Sequence, residues 1–190
     1  MSQLDRLRAQ LPPSDDYVLR RQAASPARTG EVSDATTRTD GTLPGQVRDL
    51  VRAVLDHMAA VYVEDDGEFI GRWENGFFDF GALVDTDGRA DVLQVHAVWE
   101  RFLPVEDHSA AALFANEWNS ERVWPKVFAR VEDQLVGLHT EVTVDLGPEP
   151  TLDQVDRVIN TGIVSSLAVF DEAEAVFSQA QVISAEVDDE

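Results

Sequence analysis

The sequence predicts an α+β domain in which an antiparallel sheet packs against helices. Apolar residues recur every three or four positions in three segments, the period of an amphipathic helix, and alternate singly in five others, the period of a strand. Short turn sequences between neighbouring strands favour antiparallel hairpins. Together these observations predict the order α-β-β-β-α-β-β-α.

We expect three parts along the chain: a flexible N-terminal arm at 1–43, a folded domain at 44–178 and an acidic tail at 179–190. The arm is poor in apolar residues and rich in Ser, Thr, Asp, Gly and Pro, a composition typical of disordered segments. Its start has the spacing of a short amphipathic helix through Leu4, Leu7 and Leu11.

The domain begins with a predicted helix of about fifteen residues that opens at Pro44, a residue favoured in the first turn. Residues 64–68, EDDGE, are predicted as a turn, and three strands follow at about 69–73, 76–84 and 92–102. The sequence DTDGRAD at 85–91 is predicted as the hairpin turn before the third of these strands.

The third strand alternates cleanly, so its two faces are predicted to differ. Its core face carries Leu93, Val95, Ala97 and Trp99, and its wetter face carries Gln94, His96 and Glu100.

A second helix is predicted from the N-cap region at 107–109 to about Glu121. Trp118 falls on its apolar stripe with Phe114, which predicts a core position. Asn116 and Asn119 lie near the end of this helix, where capping and turn formation explain them better than ligand binding.

Two further strands form the clearest predicted hairpin. Odd positions are apolar in the first (Val123, Val127, Ala129, Val131), and even positions are apolar in the second (Val136, Leu138, Val142, Val144, Leu146). Because Pro125 cannot donate a backbone hydrogen bond, the first strand is predicted to be an edge strand or to begin after it. The closing helix starts at Thr151, whose hydroxyl can cap the amide of Gln154, and Gly162 is a candidate kink.

The first strand of this hairpin also carries two aromatic rings and two cations opposite its valines: Trp124, Lys126, Phe128 and Arg130. A simple amphipathic strand would have only polar groups there, whereas aromatic residues and arginine are enriched at protein interfaces. These four residues are therefore a candidate dimer or partner surface. The alternative is that both faces of the sheet are covered, or that the arm folds over this face.

The charge of the chain argues against nucleic acids and membranes as partners. Residues 1–43 hold six Arg against six acidic residues, whereas the remainder holds nine basic against 30 acidic residues, a net charge of −21. Such a surface repels phosphate backbones and anionic lipids, although self-repulsion for solubility explains the charge equally well. With no long apolar segment, the expected location is the cytoplasm.

The sequence contains no recognised enzyme or metal-site motif. Cysteine is absent, and the histidines show no zinc-site spacing: His57, His96, His108 and His139. DTDG at 85–88 resembles the start of a calcium loop, but Arg89 and Ala90 occupy the positions of a ligand and the required glycine, so a turn is favoured. We expect no metal and no cofactor.

One pair of residues remains a catalytic candidate. His139 and Glu141 lie two positions apart on the polar face of the last strand, within reach of Lys126 or Arg130 on the neighbouring strand. This pair is the basis of an alternative hypothesis, an acid-base enzyme. Ordinary ion pairs on a solvated face explain the same residues.

From about residue 44 to 178 the chain resembles the YbjN-type bacterial proteins. In that family a helix ending in N-x-x-N precedes a hairpin, a short loop and a helix opening with T-x-x-Q, and the matching positions here are Asn116, Asn119, Thr151 and Gln154. The family is similar in fold to type III secretion chaperones, which are small, acidic, usually dimeric proteins that bind partly unfolded protein segments. Its members are described as sensory transduction regulators, without assigned catalytic residues.

The resemblance implies a non-enzymatic regulatory or chaperone-like protein. We expect it to bind a protein partner or client segment and to form a homodimer. A third possibility is that the arm at 1–43 is the functional segment and the acidic domain its anchor.

Overall fold

The structure is a computed structural model, and it describes residues 45–65, 67–83, 92–132 and 134–182. The predicted arm at 1–43, the predicted turn at 85–91 and most of the predicted acidic tail lie outside these ranges.

The described residues form an α+β fold with three α-helices and a seven-stranded antiparallel sheet. The helices are α1 (Gly45–His57), α2 (His108–Glu121) and α3 (Leu152–Val176). The strands are β1 (Tyr62–Asp65), β2 (Glu68–Trp73), β3 (Gly76–Leu83), β4 (Val92–Pro104), β5 (Lys126–Glu132), β6 (Leu135–Asp145) and β7 (Gln181–Val182). The predicted fold class and the predicted order of the main elements are confirmed.

Strand β1 was not predicted from the sequence, in which residues 64–68 were expected to form a turn. The strand has four residues, two of them acidic, so it is too short and too polar to show alternation. It pairs with β2 from Tyr62 opposite Gly71 to Asp65 opposite Glu68. Of the predicted turn, Gly67 is a turn residue with a positive φ, whereas residues 64, 65 and 68 belong to strands.

The strands lie in the order β1-β2-β3-β4-β6-β5, and every pairing is antiparallel. The long strands β4 and β6 form the centre, while β1 and β5 are the edges. Strand β7, which falls in the range predicted as tail, pairs with Arg101 and Phe102, beyond the last pair that β3 makes with β4 at Trp99.

All three helices contribute to one apolar core on one face of the sheet. Trp118 of α2 is buried there, as predicted, with the guanidinium of Arg122 stacked 4.0 Å from its ring centroid. Helix α3 is continuous through Gly162, where an added Cβ would meet Val95 of β4 at 2.5 Å. The glycine therefore allows the helix to lie directly on the sheet.

The start of α3 confirms the predicted cap. The hydroxyl of Thr151 accepts a hydrogen bond from the Gln154 amide at 3.3 Å, and the Gln154 side chain accepts one from the Thr151 amide at 2.8 Å. This reciprocal pair is a capping box, which satisfies two helix-end donors. Within the described ranges, no helix is long and apolar enough to span a membrane.

Candidate functional site

Strand β5 carries most of the predicted partner residues and begins at Lys126, directly after Pro125, as the proline predicted. Lys126 and Arg130 are exposed, and Phe128 is half-buried. Trp124 lies before the strand and is 41% exposed. The four residues Trp124, Lys126, Phe128 and Arg130, here called the β5 surface, thus lie near one another, with the aromatic ring of Phe128 turned inward.

The predicted core face of β5 is correct at two positions and wrong at two, since Ala129 is partly buried against the core. Val127 is buried, but Val123 is 83% and Val131 is 44% exposed. The reason is that β5 is an edge strand whose beginning packs against α2, so Val123 lies outside the strand and Val131 lies near its free end. Alternation gives the facing of a side chain but not whether anything covers it.

Asn119 of α2 closes part of the free edge of β5. Its side-chain amide donates to the carbonyl of Val127 at 2.8 Å and its side-chain oxygen accepts from the Val127 amide at 2.9 Å. This double contact reproduces the pairing that a neighbouring strand would make. The sequence predicted helix capping for this asparagine, whereas the structure places it across the sheet edge; Asn116 lies exposed on the same helix.

The rest of the β5 edge is open in the described part of the chain. Backbone groups alternate along an antiparallel strand, so the groups of Ala129 and Val131 point outward like those of Val127. No described residue outside β5 hydrogen-bonds to them. Two residues of the strand therefore present backbone donors and acceptors that no described residue satisfies, beside Arg130.

The inward side of the β5 surface leads to a buried polar network. The ring of Phe128 stacks on the ring of His139, with centroids 5.1 Å apart and planes at 13°. His139 Nδ1 lies 3.1 Å from His96 Nε2, and His96 Nδ1 lies 2.8 Å from Asp79 Oδ2. Three side chains from β3, β4 and β6 thus form one hydrogen-bonded chain.

The face of β4 that was predicted to be wetter lies on the side of the sheet away from the three helices, here called the second face. It is buried at the hydrogen-bonded residues, so that prediction was wrong. Asp79, His96 and His139 are 3%, 5% and 0% exposed, and Gln94 is buried beside them. Asp79 bonds to His96, and the ring of His139 stacks on those of His96 and Phe128, and a single-strand pattern does not reveal these cross-strand contacts. A small apolar cluster of Ile70, Val98 and Phe102 adjoins the chain on this face.

The predicted catalytic pair is not joined. Glu141 interacts with Lys126 Nζ at 3.3 Å and accepts from the Thr143 hydroxyl at 3.0 Å, while His139 bonds to His96. The neighbourhood of Lys126 and Glu141 was predicted correctly. His139 is enclosed, however, so it has no exposed edge for a substrate.

Burial, together with the charges of His96 and Arg130, holds the pKa of His139 well below its usual value. The ring is therefore neutral at neutral pH. Its Nε2 atom is buried and has no hydrogen-bond partner, an arrangement that proteins rarely leave unfilled. Among the described residues, no group of three His, Asp or Glu side chains is arranged to hold a metal ion.

The contact between Asp79 and His96 was not predicted from the sequence. They face each other directly in the β3–β4 register, and His96 was placed on the correct face of β4. The missing signal was the register between the strands, because the sequence between β3 and β4 does not fix by itself which residues stand opposite.

Comparison with known proteins agrees with this architecture. The YbjN family model, described as "Putative bacterial sensory transduction regulator", matches residues 48–175. The chain is also similar to a crystal structure of YbjN from E. coli, described as a putative transcription regulator: TM-score 0.56, 19% identity, covering 72% of this chain and 95% of that chain. No curated protein sequence matches the chain significantly.

Proposed function

The chain belongs to the YbjN family of bacterial regulators, and from that premise we propose that it is a non-enzymatic, chaperone-like regulator. It acts by binding protein segments at the β5 surface and by pairing with a second copy of itself there. The observation that carries the proposal is the sheet edge of β5, which among the described residues is closed by Asn119 at Val127 and open at Ala129 and Val131.

The chemistry around this edge suits a protein partner. An extended segment gains main-chain hydrogen bonds when it adds to an open edge, and nearby side chains supply specificity. Trp124 and Val131 offer exposed apolar area, while Lys126 and Arg130 place cations at the rim of a strongly acidic protein. Acidic or neutral extended segments fit these cations.

The alternation of backbone groups restricts how two copies can pair. A two-fold axis between antiparallel strands lies either at a hydrogen-bonded pair or at a non-hydrogen-bonded pair, and an axis at Arg130 would set two like charges directly opposite each other. An axis at Val131 leaves the contact between Asn119 and Val127 intact. It also places Arg130 opposite Glu132 of the partner subunit.

Glu132 is suited to this second contact. Its Oε1 lies 3.3 Å from Arg130 Nε within one chain, while its Oε2 is buried and without a hydrogen-bond partner. A guanidinium from the other copy would satisfy that oxygen. Each interface would then contain two such pairs by symmetry.

Single cysteines test the register directly, since the chain has no cysteine of its own. Under mild oxidation we expect full-length Val131→Cys to form a disulfide-linked dimer, because residues opposite in a hydrogen-bonded pair have Cα atoms about 5.5 Å apart. Ala129→Cys and Arg130→Cys are the matched controls and should remain largely uncoupled. Cross-linking at position 129 or 130 in place of 131 would disprove the register.

A charge exchange tests the pairing without oxidation. Arg130→Glu should shift the full-length protein from dimer to monomer in light scattering, and Arg130→Glu combined with Glu132→Arg should restore the dimer. A wild-type protein that is monomeric at all accessible concentrations, with no cross-link at any of the three positions, would rule out self-pairing.

A further inference from the structure

The buried chain of Asp79, His96 and His139 ends directly beneath the strand that carries the proposed binding surface. Its two hydrogen bonds cross from β3 through β4 to β6, and Phe128 of β5 stacks on the last ring. Phe128 and His139 also stand opposite each other in the β5–β6 register. The backbone groups of Val127 point away from β6. Those of the next residue, Phe128, therefore point toward β6 and pair with His139.

The number of hydrogens shared by Asp79, His96 and His139 determines whether His139 Nε2 carries a hydrogen. A carboxylate at Asp79 accepts from His96 Nδ1–H, which leaves one hydrogen between His96 Nε2 and His139 Nδ1. With neutral rings, His139 carries that hydrogen and its Nε2 is a bare acceptor. A proton added to the two rings would therefore place a hydrogen on His139 Nε2.

The environment of His139 disfavours protonation of its ring. The charged or titratable groups that face it from the described strands are Asp79 on β3, His96 on β4, Lys126 and Arg130 on β5, and Glu141 on its own strand β6. Glu141 is already engaged with Lys126 and Thr143. No described acceptor lies at Nε2, where Gly137 and Phe102 are the near neighbours.

We propose that the chain of Asp79, His96 and His139 is a proton-responsive latch for β5: acidification opens the contact between His139 and Phe128 and loosens the strand. The opening itself is a property of the single chain. Its consequence for partner binding rests on the function proposed above.

The direction of the effect follows from proton linkage. Since the pKa of His139 is lowered in the closed state, an opened state in which the ring reaches water, with an ordinary pKa near 6.5, binds the proton more readily. Opening therefore becomes more favourable as the pH falls below about 6.5. One proton permits a rise of up to about tenfold in the opening equilibrium per pH unit.

Amide hydrogen exchange of the full-length protein between pH 7.5 and 5 measures this opening. After correction for intrinsic exchange rates, we expect the amides of Phe128 and Arg130 to show an opening constant that rises up to about tenfold per pH unit below 6.5. The amides of Val51 and Leu55 in α1 should change much less.

Substitutions of His139 distinguish the proposed pH response of β5 from a general loss of stability in acid. In His139→Gln, or in His139→Phe should the first fail to fold, the pH dependence of the β5 amides should flatten. His57→Gln removes a histidine that is not one of the hydrogen-bonded residues Asp79, His96 and His139. This variant should retain the wild-type pH dependence.

Three results would overturn the latch: an unchanged slope in both His139 variants, a flat wild-type profile, or an equal rise at α1 and β5. None of these readouts uses a partner. Failure of self-pairing in the cross-linking experiment would therefore leave the latch standing, and failure of the latch would leave the pairing standing.

Discussion

The helix-covered face of the sheet buries apolar side chains, whereas the second face buries a hydrogen-bonded polar chain beside a small apolar cluster. On the first face α1, α2 and α3 supply the cover, and Phe80, Val95 and Leu138 lie among their side chains. On the second face, Asp79, His96 and His139 are as deeply buried, with no helix of the described ranges in their cluster.

The difference shows that equal burial can have unequal energetic consequences. An apolar side chain gains free energy from leaving water and tolerates small changes of its neighbours. A buried polar group gains little and loses heavily when one partner is removed. We therefore expect the first face to set most of the stability of the domain and the second face to make it sensitive to single substitutions and to pH.

The largest loss should come from the helix-covered face. Trp118→Ala removes a buried aromatic ring of α2 and should lower the free energy of unfolding by about 3–5 kcal/mol. Leu113→Ala, on the same helix but 58% exposed, should change it by less than about 0.5 kcal/mol. Urea unfolding at pH 7.5 measures both, and similar losses for the two variants would contradict the assignment of the core face.

The second face should respond strongly to loss of its central residue. His96→Leu keeps side-chain volume but removes one hydrogen-bond partner each from Asp79 and His139, so we expect a loss of about 2–4 kcal/mol. His57→Leu, at an exposed position of α1, is the control and should lie within about 0.5 kcal/mol of wild type. If His96→Leu matched that control, the network would contribute nothing to stability.

The two faces also differ in how far the sequence predicted them. The helix-covered face followed from local periods, because Trp118, Leu138 and Val95 each fall on an apolar stripe of their own element. The cap of Thr151 on Gln154 is likewise encoded within four residues.

The second face could not be read in this way, since it depends on contacts across strands. Asp79 lies opposite His96, and Phe128 opposite His139, only in the particular registers of β3, β4, β6 and β5. The period of a strand is two, so alternation gives the face of each residue but not its neighbour on the next strand. The contact of Asn119 with Val127 was missed for the same reason, because it joins a helix to a sheet edge.

A smaller loss of stability is expected from added volume in the tightly packed second face. Gly137→Ala adds a Cβ that would lie 2.9 Å from His139 Nε2 and 3.3 Å from Phe102 Cε1, which should cost about 1–3 kcal/mol. In a His139→Ala background the ring is gone, so the same substitution should cost clearly less. Additive losses in the double variant would show that the strain arises elsewhere.

The smallest effect is expected at the rim of the second face, where Lys126 and Glu141 meet across β5 and β6 at 3.3 Å. Lys126 is 61% exposed on its side chain, so solvent screens the pair. A double-mutant cycle with Lys126→Ala and Glu141→Ala should give a coupling energy of about 0.2–1 kcal/mol that shrinks in 0.5 M salt. The cycle with His96→Ala and His139→Ala should give a larger coupling that salt leaves unchanged, because those two rings are buried. Equal coupling energies would mean that burial does not strengthen the contact between His96 and His139. The two faces would then differ only in how many apolar side chains they bury.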